Sequence, residues 1–300
     1  MITRNELKAL LESGAPPALI DVMPGEVFAA AHIKEARNCC VYEIDFVEKV
    51  GKAIPDKAAA IVVYGSSTHS LSSSTAKEKL SHAGFTGVQD YRGGLADWES
   101  AGLPVERGQS PPEENPRAGP HQVDTARSLV TWTGRNINGA HTGTIALKGG
   151  WIEITTALAG HGEFTLDMDS IADTDLADST YNRMLVAHLK SDDFFDTVRF
   201  PVATFNLKHI TLNSHAHPGQ INADIDGELT LKGVTEGLGF PALIELLPGG
   251  KLAAEAHFDI DRTRWGVMYG SGRFYEKLGK HLVHDIISLG VHIVTAQGAG

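Results

Sequence analysis

Apolar positions along the chain follow two different rhythms. Up to about residue 107, helical spacing alternates with short β-type runs: helix over 6–13, strand over 18–22, helix over 46–54, strand over 59–65 and helix over 74–84. Short strands separated by helices predict a small α/β domain with a mostly parallel sheet, because parallel neighbours need a crossover between them. Beyond residue 121 the rhythm shortens to a period of two. Eight β-type runs, over 128–134, 141–147, 162–170, 203–212, 221–232, 237–246, 251–262 and 285–294, are set apart by Gly, Asn and Asp. That pattern predicts an antiparallel barrel or sandwich. In the third run Phe164, Leu166 and Met168 alternate with acids and Thr, so the apolar set must face the interior.

A single helical stretch over 181–195 interrupts the strands. Met184, Leu185, His188 and Leu189 share one of its faces and Phe194 and Phe195 follow, a face expected to cover an end of the barrel. Between the two rhythms, residues 107–120 carry four prolines and almost no apolar side chain, the composition of an exposed, semi-stiff connector. The expected organisation is a first domain over 1–107, a connector over 108–121 and a second domain over 122–297.

Charge and cysteine narrow the function. A formal charge of -11 speaks against nucleic acid and anionic lipid surfaces as partners, since both reward clustered Lys and Arg. The start lacks a basic stretch followed by an apolar core, and no apolar run reaches membrane-spanning length. The expectation is a cytoplasmic protein with no integral membrane span. Cys39 and Cys40 are neighbours and cannot build a cross-linking framework; a pair of small core side chains is the expected role. His215 and His217 share a loop and His281 and His284 precede the last strand, but neither pair has a third carboxylate or cysteine at ligand spacing. No metal site is expected.

Leu19-Ile20-Asp21-Val22, Glu26, Phe28, His32-Ile33 and Ala36-Arg37-Asn38, with Tyr91-Arg92-Gly93-Gly94-Leu95, Trp98 and Gly102-Leu103-Pro104 near the close, resemble the signatures of rhodanese-like domains. The resemblance implies a cysteine directly after the strand Ile61-Val62-Val63-Tyr64, and Gly65 stands there instead. Sulfur transfer needs a thiolate to carry the persulfide, and glycine supplies none. Ser66 and Ser67 lack an evident base for activation, a pairing of Ser66 with His69 lacks a group to orient the histidine, and Ser70 stands where some relatives carry a second cysteine. Met23, Ala31 and Glu35 replace a usual arginine and two usual glycines. The loop Gly65, Ser66, Ser67, Thr68, His69 and Ser70 is therefore expected to be catalytically degenerate, with a weak anion cradle made by its amides as a lesser option.

In the second domain, Thr133-Gly134-Arg135, Gly139-Ala140-His141-Thr142-Gly143-Thr144, His188-Leu189-Lys190-Ser191-Asp192-Asp193-Phe194-Phe195-Asp196, Phe200-Pro201-Val202-Ala203-Thr204-Phe205, Gly227-Glu228-Leu229-Thr230-Leu231-Lys232-Gly233-Val234-Thr235 and Asp261-Arg262-Thr263-Arg264-Trp265-Gly266 are similar to the YceI-like family. That resemblance implies an α/β rhodanese-like domain joined to an all-β, lipocalin-like antiparallel β-barrel that binds a polyisoprenoid, an isoprenoid quinone or a similar lipid. The expected ligand contacts are Phe164, Leu166, Met168, Leu185, Leu189, Phe194, Phe205, Phe258 and Trp265, with Arg135, His141 and His188 near a head group. Phe164, Leu166, Phe205, Phe258 and Trp265 would each point inward in a filled barrel too, so the sequence leaves core packing and ligand contact open for each. The 261–266 segment is also readable as an Arg and Asp pair closing the barrel end over Trp265. No cofactor is required beyond the bound lipid or quinone, and a homodimer is compatible with the sequence. A sulfurtransferase whose cysteine was replaced at Gly65, and a non-catalytic interaction scaffold with a solid barrel, are the competing readings.

Overall fold

The computed structural model describes residues 1–108, 119–154, 160–213 and 215–296. The chain divides into two compact units, Met1–Glu113 and Glu114–Gly300.

The first unit runs α1 (Arg4–Leu11), β1 (Ala18–Asp21), α2 (Gly25–Ala30), β2 (Ala31–Ile33), β3 (Arg37–Asn38), α3 (Phe46–Ala53), β4 (Ile61–Tyr64), α4 (Ser72–His82), β5 (Val88–Tyr91), α5 (Gly94–Ser100) and β6 (Val105–Arg107). Strands β3-β1-β4-β5 form an all-parallel sheet, and β2 pairs with β6 in a separate two-stranded one. Period-two alternation splits β4 between two cores: Ile61 and Val63 pack with Phe46, Val50, Ala76 and Leu80 on one face, while Val62 and Tyr64 pack with Leu7, Leu19 and Trp98 on the other. A capping box fixes the start of α1. The Glu6 carboxylate accepts from the Thr3 amide at 2.7 Å and the Thr3 hydroxyl accepts from the Glu6 amide at 3.3 Å. Cys39 and Cys40 are both buried, as core side chains are, and burial pushes the Cys39 thiol above its ordinary range.

The second unit runs β7 (Gly119–Gln122), β8 (Leu129–Asn136), β9 (Gly139–Ile154), β10 (Gly160–Asp167), β11 (Ala172–Asp173), α6 (Ser179–Lys190), β12 (Val202–Leu212), β13 (Ala223–Leu231), β14 (Val234–Leu247), β15 (Lys251–Asp261) and β16 (Ile286–Val294). Antiparallel pairing follows β10-β12-β13-β14-β15-β16-β8-β9, and β9 pairs back onto β10. The sheet therefore closes into an eight-stranded barrel, with the short strands β7 and β11 added alongside β9. Lys232 (φ 49) and Gly233 (φ 75) make the two-residue turn between β13 and β14, the positive-φ pair that matches strand twist in a hairpin. Asp178 caps α6 by accepting from the amides of Thr180 and Tyr181 at 2.8 and 3.1 Å.

One boundary and one side chain differ from expectation. The end of the expected connector is strand: β7 pairs Gly119–Gln122 with the far end of β9, so 119–121 belongs to the barrel sheet. The remaining connector positions 109–118 lie outside the described residues. Met184 is 62% exposed rather than on the covered face of α6.

Candidate functional site

Two cavities lie inside the barrel. One, of about 390 Å³, is walled by side chains such as Phe164, Phe205, Leu207, Phe240, Phe258 and Val291. The other, of about 340 Å³, lies under α6 and is walled by Trp132, Met168, Leu185, Leu189, Phe194 and Tyr269. Val130, Leu166, Leu229 and Leu289 line both, so the two adjoin at a waist. β13 shows the direction: Ile225 near its start lines the first cavity and Leu231 at its end lines the second. The pair therefore follows the barrel's length.

Phe164, Leu166, Phe205 and Phe258 line the first cavity, and Leu166, Met168, Leu185, His188, Leu189, Phe194, Arg135 and His141 line the second. Trp265 lines neither. It has no exposed surface, and its indole N–H donates to the Leu229 carbonyl at 2.8 Å, a wall-building role. The segment around it also differs from the simple Arg and Asp pair. Arg262 donates to the carbonyls of Val267, Val283 and His284 at 2.5, 3.2 and 3.0 Å and faces Asp285 at 3.7 Å, whereas Asp261 pairs with Arg273 at 3.0 Å. Arg264 reaches Glu236 at 3.2 Å. Burial alone would push Asp261 up, but the Thr263 hydroxyl and amide together with the Arg273 guanidinium hold it below the usual carboxylate range.

The two cavities differ in polar character. In the first, the polar wall groups are already satisfied: Asn222 exchanges two hydrogen bonds with the Ile244 backbone at 2.8 and 2.9 Å, and the Thr295 hydroxyl accepts from the Leu252 amide at 2.8 Å. The second has a polar rim. Arg135 donates to the Ser288 hydroxyl at 2.8 Å, His188 lies 3.2 Å from Asp193 and stacks edge-on against Tyr269, and Lys280 and His281 complete the lining. The Trp132 indole nitrogen is buried there without a hydrogen-bond partner. Periodicity gives Trp132 an inward position but gives no sign that its N–H would be left over.

His141, expected near a head group, is also brought to two carboxylates. Its Nδ1 lies 3.4 Å from Asp175 Oδ2 and 3.9 Å from Asp173 Oδ2. More than thirty residues separate His141 from these acids, which is why a search for neighbouring ligands passes over them. His215 and His217, by contrast, are exposed.

In the first unit the degenerate loop joins the buried end of β4 to α4. A β-carbon built on Gly65 would stand 2.0 Å from Ser72 Oγ, 3.3 Å from Ser72 Cβ and 3.6 Å from Met23 Sδ. Ser72 Oγ is itself bonded to Ser70 Oγ at 2.9 Å. The amides of His69, Ser70 and Ser72 donate within the loop, to Ser67 Oγ, the Ser67 carbonyl and Ser70 Oγ, which removes three donors from any anion cradle. No hydrogen bond joins Ser66 to His69 among the described residues. Glu35 adopts φ 68 at a position where the resemblance leads one to expect glycine.

Comparison with known proteins agrees with this architecture. A Rhodanese-like domain model matches residues 3–101, and a YceI-like domain model matches residues 121–295. No match to a curated protein was found. Among solved structures, BcnA from Burkholderia cenocepacia is 24% identical over 58% of this chain and 99% of its own, with a TM-score of 0.44. A polyisoprenoid binding domain from Saccharophagus degradans, implicated in plant cell wall breakdown, is 14% identical over 61% of this chain and 100% of its own, with a TM-score of 0.43. A rhodanese-like domain from Anabaena sp. is 30% identical over 38% of this chain and 82% of its own, with a TM-score of 0.33. The YceI-like match spans more than half of the chain, which therefore belongs to the YceI-like domain family and carries a rhodanese-like domain ahead of the barrel.

Proposed function

We propose that the barrel takes up one long apolar ligand, a polyisoprenoid, an isoprenoid quinone or a similar lipid, and carries or sequesters it. The observation that carries this reading is the pair of adjoining cavities with predominantly apolar walls and four shared side chains at the waist. Cavities of several hundred Å³ are of the size that small-molecule sites use. Each methylene withdrawn from water contributes about 0.8 kcal/mol, so a chain of a dozen carbons binds usefully without many polar contacts.

The difference between the cavities favours one direction for the ligand. The tail occupies the first, whose polar groups have partners, and the polar end lies in the second, near Arg135, His141 and His188. The unpaired Trp132 N–H sits in that wall. A buried donor without an acceptor costs about 1–3 kcal/mol, which favours a ligand bearing a carbonyl or hydroxyl oxygen. Phe164, Leu166, Phe205 and Phe258 then contact the tail, and Met168, Leu185, Leu189 and Phe194 the region under the helix.

The rhodanese-like domain is catalytically inactive in this reading. Gly65 supplies no thiolate, and the space a cysteine side chain needs is taken by Ser72. The protein works in the cytoplasm as a single-ligand carrier. Among the described residues no helix is long and apolar enough to cross a membrane.

Mass spectrometry of an organic extract of the purified full chain tests the proposal. A stoichiometric isoprenoid or other long-chain lipid is expected, and Trp132→Phe is expected to weaken retention of oxygen-bearing ligands more than of pure hydrocarbons. A clean extract, with no uptake of a polyprenol or quinone from detergent solution, ends the carrier reading. Sulfur transfer from thiosulfate to cyanide above background would overturn the inactive assignment.

A further inference from the structure

We propose that His141, Asp173 and Asp175 form a binding site for one divalent transition cation of the zinc class at the α6 end of the barrel. Their donor atoms, His141 Nδ1 and one carboxylate oxygen from each acid, all lie within 4.8 Å of one another.

The site is built by backbone pairing. β11 lies against β9 with Asp173 opposite Gly143 and Ala172 opposite Thr144, which sets Asp173 beside His141. Gly143 is needed for that approach: a β-carbon there would stand 1.8 Å from the Ala172 carbonyl and 2.5 Å from the Trp132 ring. Beyond β11 the chain stays on the same strand, because the Thr174 amide donates to the Thr142 carbonyl and Asp175 Oδ1 accepts from the Thr142 amide, both at 2.9 Å.

Each carboxylate gives one oxygen to the fold and keeps one for the site. Asp173 Oδ1 accepts from the Leu176 amide at 2.9 Å and from Asn182 Nδ2 on α6 at 3.1 Å. Asp173 Oδ2 has no hydrogen-bond partner, although the side chain has no exposed surface. The His141 Nδ1 atom is sealed from solvent and has no hydrogen-bond partner, only the two carboxylates at 3.4 and 3.9 Å. A carboxylate oxygen left buried and unpaired is costly, and here it points at a second carboxylate and an imidazole nitrogen. A cation satisfies all three at once.

The donor set selects the cation. One imidazole nitrogen with two carboxylate oxygens suits zinc and its first-row neighbours, while magnesium and calcium take oxygen alone. Metal bonds of roughly 2.0–2.2 Å place tetrahedral donors about 3.4 Å apart, and the observed separations from Nδ1 are 3.4 and 3.9 Å. The two carboxylate oxygens lie within 4.8 Å of each other, so closing on a cation draws the acids together. Three protein donors leave a fourth position of a tetrahedral set for water or another ligand. The cation site stands whether or not the tunnel carries a lipid.

The test is calorimetric titration of the chelator-stripped full chain with zinc chloride, with cobalt(II) absorption as a second readout. One saturable equivalent of zinc is expected, with visible cobalt bands of a low-coordinate nitrogen and oxygen site. His141→Ala should bind at least tenfold more weakly and lose the cobalt bands, with a cooperative melting transition in chelator showing that the variant is folded. Asp173→Asn should also lose the bands. The double variant His215→Ala/His217→Ala should bind zinc as the parent does. Absence of saturable binding, full affinity in His141→Ala, or a loss produced by the His215/His217 variant instead overturns the proposal.

Discussion

In the first unit Leu7, Val22, Ile61 and Leu80 have no exposed surface, whereas in the barrel Phe164, Phe205, Phe258 and Leu289 stay half-buried although they point to the interior. The first set meets other side chains across a sheet-and-helix interface. The second set meets a void. An inward apolar position is thus a statement about direction, and packing is a separate matter that depends on what arrives from the opposite wall. Helices can slide onto a sheet until contact is made, but a barrel's width is fixed by its strand number and tilt. Eight strands leave a lumen that these side chains do not fill.

The comparison is broken most directly by truncation. Leu80→Ala in the packed first unit should lower stability by about 2–5 kcal/mol, the range for a rigidly surrounded leucine. Leu289→Ala at the waist of the lumen should cost below about 1.5 kcal/mol, because the cavity term is already present in the parent. Two-transition calorimetry of the full chain reads both. Equal losses would mean that the lumen is packed.

Insertion sharpens the same contrast. Ala76 has no exposed surface and sits between α4 and its neighbours, so Ala76→Phe should destabilise the first unit by about 1–3 kcal/mol or more. Ala256 lines the first cavity, and Ala256→Phe should change barrel stability by under about 1 kcal/mol. The same variant should reduce lipid uptake by roughly tenfold or more, the equivalent of about two displaced methylenes.

Acid provides the smallest effect, and its sign differs between the units. Burial holds Asp21 above the ordinary carboxylate range, so its folded form favours the proton; its penalty is absent in acid and grows as pH rises through the folded value. Asp21→Asn should therefore stabilise the first unit at neutral pH and have no such benefit below about pH 4. Asp261 is held low, so its contribution is present above the unfolded value and is lost as pH falls through the folded one. Asp261→Asn should weaken the barrel at neutral pH, with the difference vanishing in acid. Melting curves between pH 3 and pH 7, a span of about four units around the Asp range, decide both signs.

Much of the fold was legible because local spacing carries it. All eight barrel strands and helices α1, α3, α4 and α6 fall on the stretches that periodicity marks. The pieces that escaped are short or lack pattern. α2 and α5 span only 6 and 7 residues, and β7 has the sequence Gly-Pro-His-Gln, a strand only because β9 offers it a backbone to pair with. Among the candidate contacts, alternation placed Phe164, Leu166, Phe205 and Phe258 on the lumen side. It also placed Trp265 inward, but its indole N–H is spent on the Leu229 carbonyl. The acids beside His141 were invisible, since nothing near position 141 in sequence announces residues 173 and 175.

From its order of residues alone, this chain declares two domains, their classes, and the glycine that stands where a sulfur-carrying cysteine would be. Those are local properties: side-chain type, period and a single missing thiol. Whether the barrel is hollow, where its polar end lies and which carboxylates meet His141 were decided only when strands distant in sequence paired. Void volume and donor geometry belong to the relation between walls, and no one strand encodes that relation.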